Sequence, residues 1–283
     1  MVGGQMSDKC IHRHTKEDHP NCFPKCAFYF TDTQMPFHDP RFLKLILGFA
    51  KNTLKPDKVI HGGDLLDAKS FGAFEAKNSI EQYVDCVSTN YKIANKLLDE
   101  MCDINPEATL DLMEGNHDYR IYKHSQQHPA FMELLGIEKN LKLKERGINL
   151  WLWKKPREGL NKLRPGNLAP LKLGKLHVYH GLRFNQYHAQ YNIAENTHSV
   201  LYGDVHDFQM ASGRRHDRSD RHIAYSIGHC CDESLMEWKH GKASNWIQGF
   251  AVIYYFPKSG VFTVYPIPVT NYQFIWNKKL YKG

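Results

Sequence analysis

Five short clusters carry the residues able to do chemistry in this 283-residue chain. They are Asp32; Gly63, Asp64 and Asp67; Gly115, Asn116, His117 and Asp118; His180 and Gly181; and Gly203, Asp204 and His206. Each follows an apolar run, and each offers carboxylate, amide oxygen or imidazole, the donors that bind Mg, Mn, Fe and Zn. One such cluster is weak evidence. In "VIHGGDLLDA" (59–68), for instance, two aspartates after a glycine turn read equally well as a helix cap. Capping does not explain five in succession. In open α/β sheets ligands gather beyond the carboxyl ends of strands, so the pattern points to a metal centre.

The elements that must position these clusters alternate in type. "AFYFTD" reads as a buried strand, and Pro40 to Leu54 as a helix with Asp39 as its cap. "KVIHGGD" is a second strand. Ile80, Val84, Val87, Tyr91, Ala94, Leu98 and Met101 then recur at three and four residues, the spacing of an amphipathic helix. "TLDLMEGNHD", "KLHVYHG" and "SVLYGDVHD" are strands running into glycine turns, and "HIAYSIG", "QGFAVIYYF" and "GVFTVYPI" make the last part strand-rich.

Composition sets the outer bounds. Hydrophobic content of 42% and charged content of 24% suit a globular protein, and no stretch has the length of a membrane span. Seven cysteines, an odd number that includes adjacent Cys230 and Cys231, argue against a secreted disulfide framework, so a cytoplasmic location is expected. The net charge of +7 is uneven: residues 120–183 hold fourteen Lys or Arg, four Glu and no Asp, a local +10. Such a block suits a polyanion such as nucleic acid, or simply a solvated lysine face. Residues 1–26 form a His- and Cys-rich extension in which Cys10, His12, Cys22 and Cys26 could hold a structural zinc, although their spacing matches no common zinc finger. The expected domain spans 27–270, followed by a basic tail, 271–283.

The clusters resemble the motifs of the calcineurin-like metallophosphoesterases: D-x-H, G-D-x-x-D, G-N-H-[DE], H-G and G-H-x-H, in that order. Here they read "DTQ" (32–34), "GDLLD" (63–67), "GNHD" (115–118), "HG" (180–181) and "GDVH" (203–206). The first motif also looks like those of tailed-phage enzymes. The resemblance implies a four-layer α/β/β/α sandwich of two mixed sheets, with two metals sharing one aspartate. The first metal would take Asp32, Gln34, Asp64 and His206. The second would take Asp64, Asn116, His180 and Asp204. Gln34 and Asp204 stand where the family has histidine, and His38 is a substitute ligand for the first position. Both exchanges move the donor set toward oxygen, favouring Mn²⁺ or Mg²⁺ over Fe or Zn²⁺.

The implied chemistry is attack on phosphorus by a hydroxide held between the metals, with His117, oriented by Asp67, protonating the leaving group. Arg120 and Arg183 are candidates for gripping phosphate or for surface ion pairs. Trp151 and Trp153, beside the basic block, suit base stacking or strand core. His229 in "SIGHCC" stays open between ligand and core histidine. The leading expectation is a phosphodiesterase acting on nucleic acid. The alternatives are a phosphomonoesterase acting on a phosphoprotein or nucleotide, and a metal-binding scaffold without catalysis.

Overall fold

Lys25–Phe30, strand β1, is buried on both faces: Phe28 and Phe30 point into one apolar cluster, Ala27 and Tyr29 into another. A strand apolar on both sides must be covered twice, and that requirement organises the molecule. The computed structural model describes residues 23–72, 87–127, 132–153, 166–181, 183–213, 221–236 and 245–283.

After β1 come α1 (Pro40–Phe49), β2 (Lys58–His61), α2 (Val87–Cys102), β3 (Thr109–Met113) and α3 (Asn116–Gln127). Two short helices, α4 (Met132–Leu135) and α5 (Ile137–Asn140), lead to β4 (Ile148–Trp151). Then follow β5 (Leu171–Leu173), β6 (Leu176–Val178), α6 (His188–Glu195), β7 (Ser199–Tyr202), β8 (Gln209–Gly213) and β9 (His222–Ser226). The chain closes with β10 (Gly249–Tyr255), β11 (Phe262–Pro268), β12 (Gln273–Trp276) and β13 (Lys279–Lys282).

One sheet has the order β11-β10-β1-β2-β3-β4, the other β5-β6-β7-β9-β8. Both are mixed: β1 to β4 run parallel, β10 pairs antiparallel with β1 and β11 antiparallel with β10, and β6, β7 and β9 run parallel between antiparallel β5 and β8. Between the sheets lie Ala27, Tyr29 and Ile60 from the first and Leu176, Val178 and Leu201 from the second. On the outer face of the first sheet, Phe42 and Ile46 of α1 and Leu98 of α2 pack with Phe28, Phe30 and Val59. On the outer face of the second, Ala189 and Ile193 of α6 meet Val200, Tyr202 and Ala224. The result is the expected α/β/β/α sandwich.

Local signals read from sequence hold at α1. Asp39 accepts from Phe42 N at 3.0 Å and Pro40 opens the helix, whose last stretch, Ala50–Leu54, widens into a π-helical turn. In α2, Tyr91, Ala94, Leu98 and Met101 are buried as the periodicity requires, while Ile80 and Val84 lie outside the described residues. The stretch 271–283 is largely the β12–β13 hairpin, whose Phe274 and Tyr281 pack edge-on against Phe49 of α1. Among the described residues, no helix is long and apolar enough to cross a membrane.

Candidate metal centre

The parallel strands of both sheets deliver their carboxyl ends to one place. Asp32 follows β1, Asp64 follows β2, Asn116 starts α3 after β3, His180 follows β6, and Asp204 and His206 follow β7. The loops are stitched together by backbone bonds: Asp32 N to Gly63 O (3.0 Å), Gln34 N to Asp64 O (2.9 Å) and Gly203 N to His180 O (2.7 Å). Asp32, Gln34, Asp64, Asp204 and His206 all have positive φ, between 50° and 69°. Left-handed backbone at a non-glycine residue costs on the order of 1–3 kcal/mol and persists only where surroundings impose it, characteristically at functional sites. The flanking glycines make room. A Cβ on Gly115 would lie 1.9 Å from Asp64 Oδ1, and one on Gly203 2.3 Å from Asp32 Oδ2.

Around His180 the polar atoms are almost all acceptors. His180 Nδ1 is 3.0 Å from Gly62 O, so it donates there and turns Nε2 toward Asn116 Oδ1 (3.0 Å), Asp64 Oδ1 (3.3 Å) and Asp204 Oδ1 (3.6 Å). Asn116 Oδ1 in turn lies 3.1 Å and 3.2 Å from the two Asp64 oxygens and 3.2 Å from Asp204 Oδ1. An amide oxygen among carboxylates is repulsive unless a cation lies between them; rotating the amide would instead offer its NH₂ to the same atoms. Burial by itself would push the His180 imidazole down, but Asp64, Asp32 and Asp204 outweigh it and raise its pKa well above the usual value. Burial would likewise raise the Asp64 carboxyl, yet His180 and His117 hold it far below the usual range. A proton on His180 thus does the work a cation would do. These donors fit a divalent ion of the Mg, Mn, Fe and Zn group.

The other half is less complete. Asp32 is fully buried, receives Thr31 Oγ1 at 2.7 Å, and faces His206 Nε2 at 3.2 Å. Gln34 presents its nitrogen: Nε2 donates to Asp64 Oδ2 at 2.8 Å, while buried Oε1 has no hydrogen-bond partner. A half-turn of the amide would exchange the two atoms. His38 does not fill the gap, because its Nδ1 lies 3.2 Å from Pro36 O and its ring lines a separate cavity of about 700 Å³ between α1 and α2.

His117, on the first turn of α3, stands beside the carboxylates with Nδ1 3.0 Å from Asp67 Oδ1, 2.9 Å from Asp67 O, and Nε2 3.8 Å from Asp64 Oδ2. Burial lowers its pKa, but Asp64 and the Asp67 hydrogen bond raise it further, and the net shift is upward. Arg120 donates from Nη1 to Asp67 O at 3.1 Å and places Nη2 3.1 Å from His117 Nε2. Arg183 is exposed and pairs with Glu195, Nε to Oε2 at 3.0 Å. Trp151 Nε1 donates to Asp111 Oδ1 and Trp153 Nε1 to Gly181 O; both rings line a recess of about 270 Å³ that also touches His180. Of the proposed zinc cluster, Cys10, His12 and Cys22 lie outside the described residues, and Cys26 sits buried in β1 within the core.

A calcineurin-like phosphoesterase family model matches residues 28–256. The chain belongs to this family. Its members are metal-dependent hydrolases of phosphate esters, so this is a metal-dependent phosphoesterase. It is 24% identical over 230 residues to the Gene 54 protein of Mycobacterium phage L5, an alignment covering 79% of this chain and 86% of that one. It is 25% identical over 233 residues to the Gene 54 protein of Mycobacterium phage D29, with the same coverage. Among solved structures, Vacuolar Protein Sorting 29 from Cryptosporidium parvum covers 91% of this chain and 95% of its own at TM-score 0.42 and 8% identity.

Reading the motifs left several residues of this phosphoesterase without a role. Asp118 accepts from Leu66 N (2.9 Å), Leu65 N (3.2 Å) and Gly115 N (2.9 Å), tying the Asp64 loop to the start of α3. Burial and the neighbouring Asp64 push its pKa up to about 6. His61 is fully buried, and burial lowers its pKa to about 3, so it stays neutral beside Thr33 Oγ1 at 3.1 Å. Cys231 joins His229 and His206 in a buried group whose only sequence signal was "SIGHCC" at the end of β9.

Proposed function

We propose that this phosphoesterase hydrolyses phosphodiester bonds, with nucleic acid as its substrate, using two divalent cations of which at least the one beside His180 is Mn²⁺ or Mg²⁺. The observation that carries the reading is the close cluster of Asp64, Asn116, His180 and Asp204 next to Asp32 and His206. Asp64 lies within reach of both halves and would hold both ions. Bound cations lower the pKa of water and neutralise charge on phosphate oxygens.

The chain's own residues do the rest. Asp67 receives the Nδ1 proton of His117 and fixes that ring; Nε2, which accepts from Arg120 Nη2 in this arrangement, would deliver a proton to the departing oxygen once it is protonated and Arg120 turns to the phosphate. Arg120, hydrogen-bonded to Asp67 O and next to His117, holds positive charge where phosphate oxygens would arrive. The recess lined by Trp153, Tyr179 and His180 offers an aromatic wall to a base attached to the phosphate.

Charge supports a diester. Asp32, Asp64 and Asp204 contribute three negative charges where the usual ligand set has two, so the loaded centre attracts a dianionic monoester less than it otherwise would; a monoanionic diester loses less. The +10 of residues 120–183 adds a reason for a polyanionic substrate, although Arg146 in that block is committed to Asp99. On this reading the enzyme works in the cytoplasm, in a phage-infected cell as its relatives' sources suggest.

The test is a substrate panel with added Mn²⁺: single- and double-stranded DNA, RNA, a cyclic nucleotide, a phosphopeptide, and nitrophenyl mono- and diesters. The expected order is diester above monoester, with salt-sensitive activity on nucleic acid. Clear preference for the monoester or phosphopeptide would replace this reading with that of a phosphomonoesterase. No metal-dependent turnover on any substrate would indicate a scaffold.

A further inference from the structure

We propose that His206, His229 and Cys231 hold a cation through two imidazoles and a thiolate, on the Nδ1 side of His206, next to the cluster of Asp32, Asp64 and His180. This goes beyond the two-cation reading and does not rest on it. The ligand set makes the position one for Zn²⁺ or another thiophilic ion, unlike its oxygen-rich neighbour.

Four observations converge. One ligand atom from each of the three side chains falls within 4.8 Å of the others, and all three residues are buried. His206 carries a buried Nδ1 with no hydrogen-bond partner, while its Nε2 lies 3.2 Å from Asp32 Oδ1. His229 is arranged as a ligand: Nε2 lies 3.2 Å from Glu233 Oε1, so it donates there and leaves Nδ1 with a lone pair that meets Cys231 Sγ at 3.1 Å and the Cys231 backbone N–H at 3.3 Å. A carboxylate that fixes a histidine's tautomer from behind is the usual support of a metal-bound imidazole. Finally, His206 Nε2 faces Asp32 Oδ1, so Asp32 supports this ring from behind as Glu233 supports His229.

An ordinary S–H···N bond accounts for the contact between Cys231 and His229 alone. It leaves His206 Nδ1 unsatisfied and gives no reason to bury two imidazoles and a thiol together. The topology adds a reason of its own. β9 runs parallel to β7, so the turn after it opens onto the same end of the sheet as Asp204 and His206. Cys230 N donates to Asp32 O and His206 O accepts from Ile247 N, which also ties Ile247 O to His229 N. β9 is thus a further strand end delivering ligands to the centre.

The test is to load the metal-free full-length protein with Co²⁺ and record its absorption spectrum, with metal content measured in parallel. The expected result is a thiolate-to-Co²⁺ charge-transfer band in the near ultraviolet, lost in Cys231→Ser together with about one equivalent of metal. The band should persist in Cys230→Ser, since that neighbouring thiol lies in the apolar core. X-ray absorption of the Zn²⁺ form should show one sulfur at about 2.3 Å. Co²⁺ bound without the band, or a band unchanged in Cys231→Ser, overturns the proposal. If Cys231→Ser does not fold, the Cys10→Ser/Cys22→Ser form decides: the band should persist there, and its loss would assign it to those thiols and overturn the proposal. A band in a protein that hydrolyses no phosphate ester would support this site while refuting the function proposed above; activity without a band would do the reverse.

Discussion

The half of the centre around His180 and the half around Asp32 are built on different principles. Around His180 the atoms are oxygens and one imidazole nitrogen, close enough that a proton, a cation or the NH₂ of a rotated Asn116 amide must sit among them. Around Asp32 a glutamine has replaced an imidazole, its amide turned away, and a histidine and cysteine from another strand lie next to His206. On the two-cation reading, Asp64 lies between the two halves. The difference teaches that an open α/β sheet can gather donors of different chemistry from different strand ends, because all parallel strands open on the same side.

The largest way to break this comparison is at the residue between the halves. Asp64→Asn should cost about 10³-fold in turnover and empty the Asp32 and His180 positions together, leaving any cation on His206, His229 and Cys231, as measured by steady-state kinetics and metal analysis. Loss of metal from only one half would show that Asp64 does not serve both. His117→Ala should lower turnover by about 10²-fold while both cations remain, because His117 touches the leaving group rather than the metals; loss of metal in that variant would make His117 a ligand.

Asp118→Ala sharpens the comparison by disturbing chiefly the oxygen-rich half. It orphans the N–H groups of Leu65, Leu66 and Gly115, and should cost on the order of 1–3 kcal/mol, read as a fall in unfolding midpoint. The same variant should weaken metal binding beside His180 more than beside Asp32.

The pH dependence follows from His180. Its pKa is raised, so the metal-free protein holds a proton there at neutral pH, and a cation must displace it. Affinity at the His180 position should therefore rise with pH by up to about tenfold per unit until the raised pKa is passed. Calorimetry in buffers of different ionisation enthalpy would count the released proton; none released at pH 7 would contradict the assignment. The smallest effect is expected from Gln34→His, a residue type that tolerates the left-handed backbone there. It should tighten the first cation by roughly tenfold or less. No change, with the Co²⁺ spectrum intact, would place position 34 outside that cation's ligand set.

Much of the fold was legible beforehand because its signals are local. The fully apolar "AFYF" announced a strand covered on both faces, Asp39 and Pro40 announced the start of α1, and the spacing of Tyr91, Ala94, Leu98 and Met101 announced the buried side of α2. The five strand-end clusters announced the centre, because each strand leaves its ligands at a fixed offset. Arg183 shows the limit: only the fold reveals that Glu195, at the end of α6, takes its guanidinium.

By itself, the sequence determined which residue types stand after which strands, and hence that oxygen and imidazole donors would collect at one edge of the sheets. Only the tertiary structure decided which way the Gln34 amide faces, that Asp118 clamps two loops, and that Cys231 and His229 arrive beside His206. Orientation and partnership of this kind arise from contacts between residues far apart in the chain. Hydrophobic spacing and turn chemistry report only on near neighbours.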